Sequence, residues 1–319
     1  MNLRVPFTWT ETTLASPGAP GNLHSYVVPG VPHPLYVRPE TTDLYSLAQV
    51  FRSQIYAQLA PGSLLDLYAQ TPLPGPLHPE NPSLAHDWHP WWNYGPCQSS
   101  EYLHQQGGCP DQAFSFQRIL DCGAYVGFSA IYLSLLHPQA QILCVEPDPD
   151  NFVVLERNIW PYRNITAVRG AVSQYLGRGS LTRINQQGLK KGFWATRFLP
   201  DAPGAFLAGP GERQRDVSGP VPSESPFRPM GRPLEMYLDG EHWSDVDLVK
   251  LDIEGSEAEV LGDPQAGLWL SRTKALVLEL HEDLRPGTTE IARGVLAHDF
   301  HIFPHQEGAL YLRKTVWEE

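Results

Sequence analysis

The chain is poor in cysteine and in basic residues, and it contains no long apolar run. Four cysteines in 319 residues do not make a disulfide framework, and two of them, Cys122 and Cys144, fall in elements predicted to be buried. No apolar stretch approaches the ~20 residues needed to cross a bilayer. The N-terminus lacks a charged segment followed by an apolar h-region. These absences predict a soluble, cytoplasmic protein with no membrane partner. Basic residues number 23 against 35 acidic, a net charge of −12, which disfavours sequence-independent nucleic-acid binding because that affinity comes mainly from released counterions. Metal-type side chains occur at His86-x-x-His89, Cys97 and Cys109, but the cysteine spacing does not match a zinc knuckle.

Against these absences stands Ile119-Leu-Asp-Cys-Gly-Ala-Tyr-Val-Gly127, an apolar run that ends in Asp121, turns through Gly123 and Gly127 and enters a helical pattern. A strand, a glycine loop and a helix start in that order bring backbone close to a ligand and leave N–H groups to meet it. The middle glycine of G-x-G-x-x-G is missing, with Tyr125 at the nearest loop position, so the dinucleotide fingerprint is imperfect. Asp121 at the strand exit would also repel a pyrophosphate. S-adenosylmethionine, which carries an ammonium and a sulfonium, suits an acidic loop better. The next apolar strand, 140–145, ends in Glu146-Pro147-Asp148, and an acid at that tip is placed to accept ribose hydroxyls.

Four segments together resemble the FkbM-type S-adenosylmethionine-dependent methyltransferases. Tyr36-Val-Arg-Pro-Glu-Thr-Thr-Asp43 is similar to that family's opening motif, 119–127 to its glycine loop, and Glu146-Pro-Asp-Pro-Asp-Asn-Phe152 to its ribose segment. Val249-Lys-Leu-Asp-Ile-Glu-Gly-Ser-Glu257, with Glu279-Leu-His281 after it, is similar to its central strand and the strand that follows. Tyr125 departs from the asparagine usual there, and the spans 61–115 and 185–232 have no clear counterpart. The resemblance implies a Rossmann-like class I methyltransferase sheet and O-methylation of a hydroxyl on a small molecule or glycan. It also implies a cofactor site built from Asp121, Gly123, Ala124, Tyr125, Gly127, Glu146, Pro147, Asp148 and Asp252.

Strands alternating with helices from residue 119 onward predict an α/β fold with a mostly parallel sheet. The expected order is helix 129–136, strand 141–145, helix 151–159, strand 165–168, two short strands near Ala171 and Ser180, strand 248–251, a helix near Ser256, and strand 275–280 ending at His281. Short strand patterns at 300–303 and 309–312, joined through Gly308, predict a closing antiparallel hairpin rather than another crossover. Residues 1–115 read as a loop-rich N-terminal cap, with an amphipathic helix over 42–59. Residues 116–319 read as the methyltransferase domain, carrying a Pro/Gly-rich insertion at about 198–233. Trp88, Trp91 and Trp92 are expected to wall a substrate pocket. The acid-free run 178–197, with Arg178, Arg183, Lys190, Lys191, Arg197, Phe193 and Trp194, reads either as a substrate contact or as a solvated loop.

In such sheets ligands gather beyond the carboxyl ends of the strands, which here carry Asp121, Glu146, Asp252 with Glu254, and Glu279 with His281. An alcohol acceptor loses its proton as the new bond forms, and His281 is the favoured base because it titrates nearest neutral pH. Asp252 is expected to orient the acceptor or the cofactor's methionyl end. Glu254 is the other catalytic candidate, and both it and Glu257 also suit a helix start without any function. Asp252, Glu254, Glu279 and His281 make an oxygen-rich set of the magnesium-binding type. Acids at adjacent strand ends arise without a metal, so no metal ligand is assigned. A nicotinamide oxidoreductase and an inactive methyltransferase-like binding module remain as alternatives, and a homo-oligomer is left open.

Overall fold

The computed structural model describes residues 23–39, 41–61, 63, 115–182, 196–201, 228–305 and 308–314. By contacts the chain divides into one unit made of 1–56 and 116–319 and a second of 57–115. The expected tryptophan wall, the His86–Cys109 cluster and most of the basic run lie outside the described residues.

The first unit begins with strands β1 (His24–Tyr26) and β2 (Leu35–Val37), an antiparallel pair in which Ser25 faces Tyr36. A helix follows at Asp43–Leu47 and widens into one π turn at Ala48–Arg52. The expected 42–59 helix is therefore shorter. The Ser53 N–H reaches back to Ala48 O, and Gln54 then takes a left-handed φ of 52°, which ends the helical run. Leu47 and Phe51 are fully buried, and Phe51 packs edge-on against Phe128 and Tyr132.

From residue 118 the alternation is as the pattern predicts. Strand β3 (Arg118–Cys122) leads to a helix at Phe128–Leu136, β4 (Gln141–Glu146) to a helix at Pro149–Ile159, and β5 (Ile165–Arg169) follows. Strands β6 (Ala171–Val172), β7 (Gly177–Thr182), β8 (Arg197–Pro200) and β9 (Met230–Arg232) form a separate four-stranded sheet in the order β6-β9-β7-β8. A helix at Leu234–Gly240 returns the chain to β10 (Val246–Leu251). Short helices at Glu257–Leu261 and Gly267–Leu270 precede β11 (Thr273–Leu278), and a helix at Thr288–Leu296 precedes the hairpin β12 (Phe300–His305) and β13 (Gly308–Arg313).

The main sheet has seven strands in the order β12-β13-β11-β10-β3-β4-β5. The pairs β10/β11, β10/β3, β3/β4 and β4/β5 are parallel, whereas β11/β13 and β12/β13 are antiparallel. Counting only the sheet's own strands in chain order, this is 3-2-1-4-5-7-6, the class I methyltransferase arrangement. Every residue of β10 is buried, as a central parallel strand requires. Its core side chains Val249 and Leu251 share an apolar cluster with Leu120, Leu143, Leu276 and Trp269. Strand order reverses between β3 and β10, so a crevice opens beyond their carboxyl ends. β11 stops at Leu278, two residues before the expected end, so Glu279 and His281 sit on the loop beyond it.

Candidate functional site

A cavity of about 250 Å³ lies at that crevice. Its floor is Gly123, Ala124 and Tyr125 from the loop after β3, with Val145, Glu146 and Pro147 from β4. Lys250, Asp252, Ile253, Glu254 and Glu279 supply one side. Gly170, Ala171, Val172, Thr196 and Phe198 supply another, and Tyr45, Ser46, Gln49 and Val50 come from the N-terminal helix and its π turn.

Glu146 is 4% exposed and is held by three N–H donors. The Tyr125 N–H donates to Oε2 at 2.9 Å, and the Asp148 N–H and Asn151 Nδ2 donate to Oε1 at 2.9 and 3.1 Å. Burial pushes its carboxyl up to about 8, against the pull of those hydrogen bonds. Asp148, expected as a cofactor contact, instead caps the helix that follows. Its Oδ1 accepts from the N–H groups of Asp150 and Asn151, and Pro149 occupies the first turn.

The glycine loop differs from the expectation in a second way. The Gly123 and Ala124 N–H groups both donate to Val145 O, that of Tyr125 to Glu146, and that of Gly127 to Ala124 O. These amides tie the loop to the protein instead of facing a ligand. Gly123 has φ 80°, and a Cβ there would lie 1.7 Å from Asp252 O, so glycine is required by the close approach of two strand-end loops. Gly127, at φ 88°, caps the helix Phe128–Leu136 and packs on Leu155 without lining the cavity.

Asp121 also corrects the sequence expectation. It is fully buried and does not line the cavity; Ser129 Oγ donates to its Oδ2 at 2.5 Å, and Lys250 Nζ lies 3.3 Å from Oδ1. The same ammonium is 3.1 Å from Asp252 Oδ2 and 3.3 Å from Gly123 O. An unpaired carboxylate at zero exposure is untenable, and Lys250 compensates it from the neighbouring strand. The acidic cradle is therefore a neutralised strut, and the carboxylates left facing the cavity are Glu146, Asp252, Glu254 and Glu279.

His281 sits behind three of these. Its Nε2 is 3.4 Å from Glu254 Oε2, 3.6 Å from Glu279 Oε1 and 3.8 Å from Asp252 Oδ1, while Nδ1 is 2.9 Å from Glu257 Oε1. Burial pulls the imidazole down, but the Glu257 bond and charge, with the charges of Asp252 and Glu254, push it up to about 10. It holds its proton at neutral pH, which removes the lone pair a general base needs, and it does not line the cavity. Glu257 is fully buried and also accepts from the N–H groups of Ile253 and Gly255 at 2.9 Å, fixing the turn after β10. Glu254 in that turn has φ 56°, and Tyr125 has φ 52°, so two non-glycine residues take left-handed backbone at the cavity. One ligand atom each from Asp252, Glu279 and His281 lie within 4.8 Å of one another, a set of cation-binding type in which His281 itself, as an imidazolium, places positive charge.

Several supporting residues were not singled out by the sequence, though Asn151 lies in the quoted ribose segment. Asn151 joins Glu146 from the next helix. Asn158 is buried and binds Tyr36 through Oδ1 and Nδ2, and also Val126 O, tying β2 to the glycine loop. Arg38 and Asp43 lie in the quoted opening motif, yet their partners come from far along the chain. Burial raises the Asp43 carboxyl, but hydrogen bonds from Arg38 and Tyr125 outweigh it and hold the group below its ordinary value. Of the basic run, Arg178 is exposed with Nη1 on Arg228 O, and Arg197 pairs with Glu259 at 3.4 Å.

Residues 121–301 match the Methyltransferase FkbM domain family. The chain is 28% identical over 166 residues to Methyltransferase sdnD of Sordaria araneosa, covering 45% of this chain and 58% of that protein. It is 26% identical over 162 residues to Methyltransferase 1 of Beauveria bassiana, covering 48% of this chain and 58% of that one. The chain thus spans little more than half the length of these relatives. Among solved structures it is similar to Aeropyrum pernix fibrillarin in complex with natively bound S-adenosyl-L-methionine, with 13% identity, a TM-score of 0.33, and coverage of 63% and 67%. A score that low carries no argument, and the fold rests on the strand order and the family match.

Proposed function

The chain belongs to the FkbM methyltransferase domain family, and from that premise we propose that it transfers a methyl group from S-adenosylmethionine to a hydroxyl of a small molecule or glycan. The observation that carries this reading is Glu146, a buried carboxylate at the tip of β4 that faces the cavity and is oriented by three N–H donors. Such a group is suited to accept ribose hydroxyls. The loop at 123–127 points away from a dinucleotide, because four of its amides are engaged within the protein and are not left for a pyrophosphate. The residues present therefore fit the proposed cofactor.

The cofactor, when bound, supplies an electrophilic methyl on a sulfonium. The protein's part is to hold an acceptor oxygen in line and to take its proton. Asp252 and Glu254 face the cavity and are the carboxylates we assign to orienting the acceptor and accepting that proton, a contribution of roughly 10²–10⁴-fold for a positioned base. Lys250 anchors Asp252 through Oδ2, and the His281 imidazolium stands behind Glu254 and Glu279, setting positive charge against a crowd of carboxylates. The net charge of −12 supports an acceptor other than a nucleic acid.

The test is to incubate the chain with S-adenosylmethionine and a panel of hydroxylated metabolites and sugars, and to follow the mass gain of one methylene. Methylation at oxygen is expected. Transfer solely to nitrogen or carbon would refute the acceptor class, and cofactor binding without turnover on any acceptor class would favour a binding module.

A further inference from the structure

Tyr125 is fastened from outside the cavity. Its hydroxyl donates to Asp43 Oδ1 and lies 3.1 Å from Thr42 Oγ1. Asp43 is fully buried and is gripped by Arg38, whose Nη2 donates to Oδ1 at 2.7 Å and whose Nε and backbone N–H donate to Oδ2 at 2.9 and 2.8 Å. The Arg38 guanidinium also lies 5.5 Å from the centre of the Tyr125 ring. At its other end Tyr125 donates its N–H to Glu146 Oε2 at 2.9 Å. One connected path thus runs from Arg38 through Asp43 and Tyr125 to the carboxylate assigned to the ribose.

Stability alone does not call for this device. A buried ion pair is often replaceable by apolar side chains without loss, and a phenylalanine ring would fill nearly the same space. A tyrosine in left-handed backbone is also strained, and strain of this kind persists where surrounding contacts over-determine it. Here those contacts come from the segment that begins the N-terminal helix, whose Tyr45, Ser46 and Gln49 line the same cavity as Tyr125 and Glu146. Asp43 and Arg38 do not line it.

We infer that Asp43 and Arg38 are positioning residues for cofactor binding, which hold Tyr125 in the conformation that presents its N–H to Glu146 and fasten the N-terminal helix against the cavity. The inference rests on the proposed methyltransferase reading. Because neither side chain reaches the cavity, their effect on the cofactor passes through Tyr125 and the helix that begins at Asp43.

The experiment compares wild type, Tyr125→Phe, Asp43→Asn and the double variant by calorimetry with S-adenosylhomocysteine, by KM and kcat for S-adenosylmethionine, and by thermal unfolding. Wild type is expected to bind. Tyr125→Phe, which deletes one hydroxyl and leaves the ring in place, is expected to weaken binding and raise KM roughly 10- to 100-fold with a much smaller change in kcat, the loss of one hydrogen bond to a charged group. Asp43→Asn should act in the same direction, and the double variant should be no weaker than the worse single one, because both interrupt one path. Binding by Tyr125→Phe equal to wild type, or a fall in melting temperature with KM unchanged, would overturn the inference while leaving the methyltransferase reading intact. Absence of binding by wild type would overturn both.

Discussion

Replacing Glu146 with glutamine keeps the side chain's shape and removes its charge, and the consequences divide between folding and binding. In the free protein the carboxylate accepts from the Tyr125 N–H, the Asp148 N–H and Asn151 Nδ2. Glutamine offers one oxygen and turns an NH₂ toward the remaining donors, so stability is expected to fall by about 1–3 kcal/mol for an unsatisfied buried group. For the ligand, loss of one hydrogen bond to a charged acceptor costs about 1.5–3 kcal/mol, or roughly 10- to 100-fold in the dissociation constant of S-adenosylhomocysteine. The pH dependence is a second signature. With the carboxyl up at about 8, ionisation weakens the free fold, so Glu146's contribution to stability declines as pH rises from its unfolded value through about 8. The ionised form is the one suited to accept both ribose hydroxyls of the proposed cofactor, so wild-type affinity should strengthen over that same interval and level off above it, whereas Glu146→Gln should show no such slope. Calorimetry across pH, with thermal unfolding of both proteins in parallel, measures each part. A dissociation constant within twofold of wild type, with the same pH profile, would refute Glu146 as the ribose ligand.

Further outcomes follow from the other charges. If His281 stands as an imidazolium, kcat at saturating S-adenosylmethionine should be flat between about pH 7 and 9; a tenfold rise per unit toward its value of about 10 would return the base role to His281. Its raised value also makes its stabilising contribution full below about pH 6.5, lost as pH rises through about 10, and absent in His281→Asn, which thermal unfolding across pH can check. Lys250→Met strands the fully buried Asp121 and should cost about 3–5 kcal/mol of stability, so a melting temperature equal to wild type would contradict the strut. Turnover is expected to survive chelation by EDTA, because the imidazolium and Lys250 compensate the acids; activity lost on chelation and restored by magnesium would reassign Asp252, Glu279 and His281 to a cation.

What could be read ahead of the structure was whatever a local period or a strand end expresses. The hairpin at 300–313 was legible because alternation on both sides of Gly308 excludes a crossover. The place of Glu146 at the cavity was legible because it ends an apolar run that follows a glycine loop. The roles of Asp121 and His281 were not, because each depends on partners from other strands. Lys250 neutralises the first, and Glu257, Asp252 and Glu254 hold a proton on the second. Glycines 123 and 127 read as bringing backbone close to a ligand; Gly123 does line the cavity, yet both left-handed backbones also serve close packing, on Asp252 and on Leu155. The 42–59 pattern placed Leu47, Phe51, Ile55 and Leu59 on the buried face, but Leu44 is exposed and the π turn was not legible, since hydrophobic spacing does not register the added backbone residue that a π turn accommodates.

Diffraction from crystals grown with S-adenosylhomocysteine tests the central claim most directly. The account predicts the ligand in the cavity beyond β3, β4 and β10, with its ribose hydroxyls at hydrogen-bond distance from the Glu146 carboxylate and the Lys250–Asp121 pair intact. Ligand bound elsewhere on the chain, or within the cavity with its ribose away from Glu146, would contradict it.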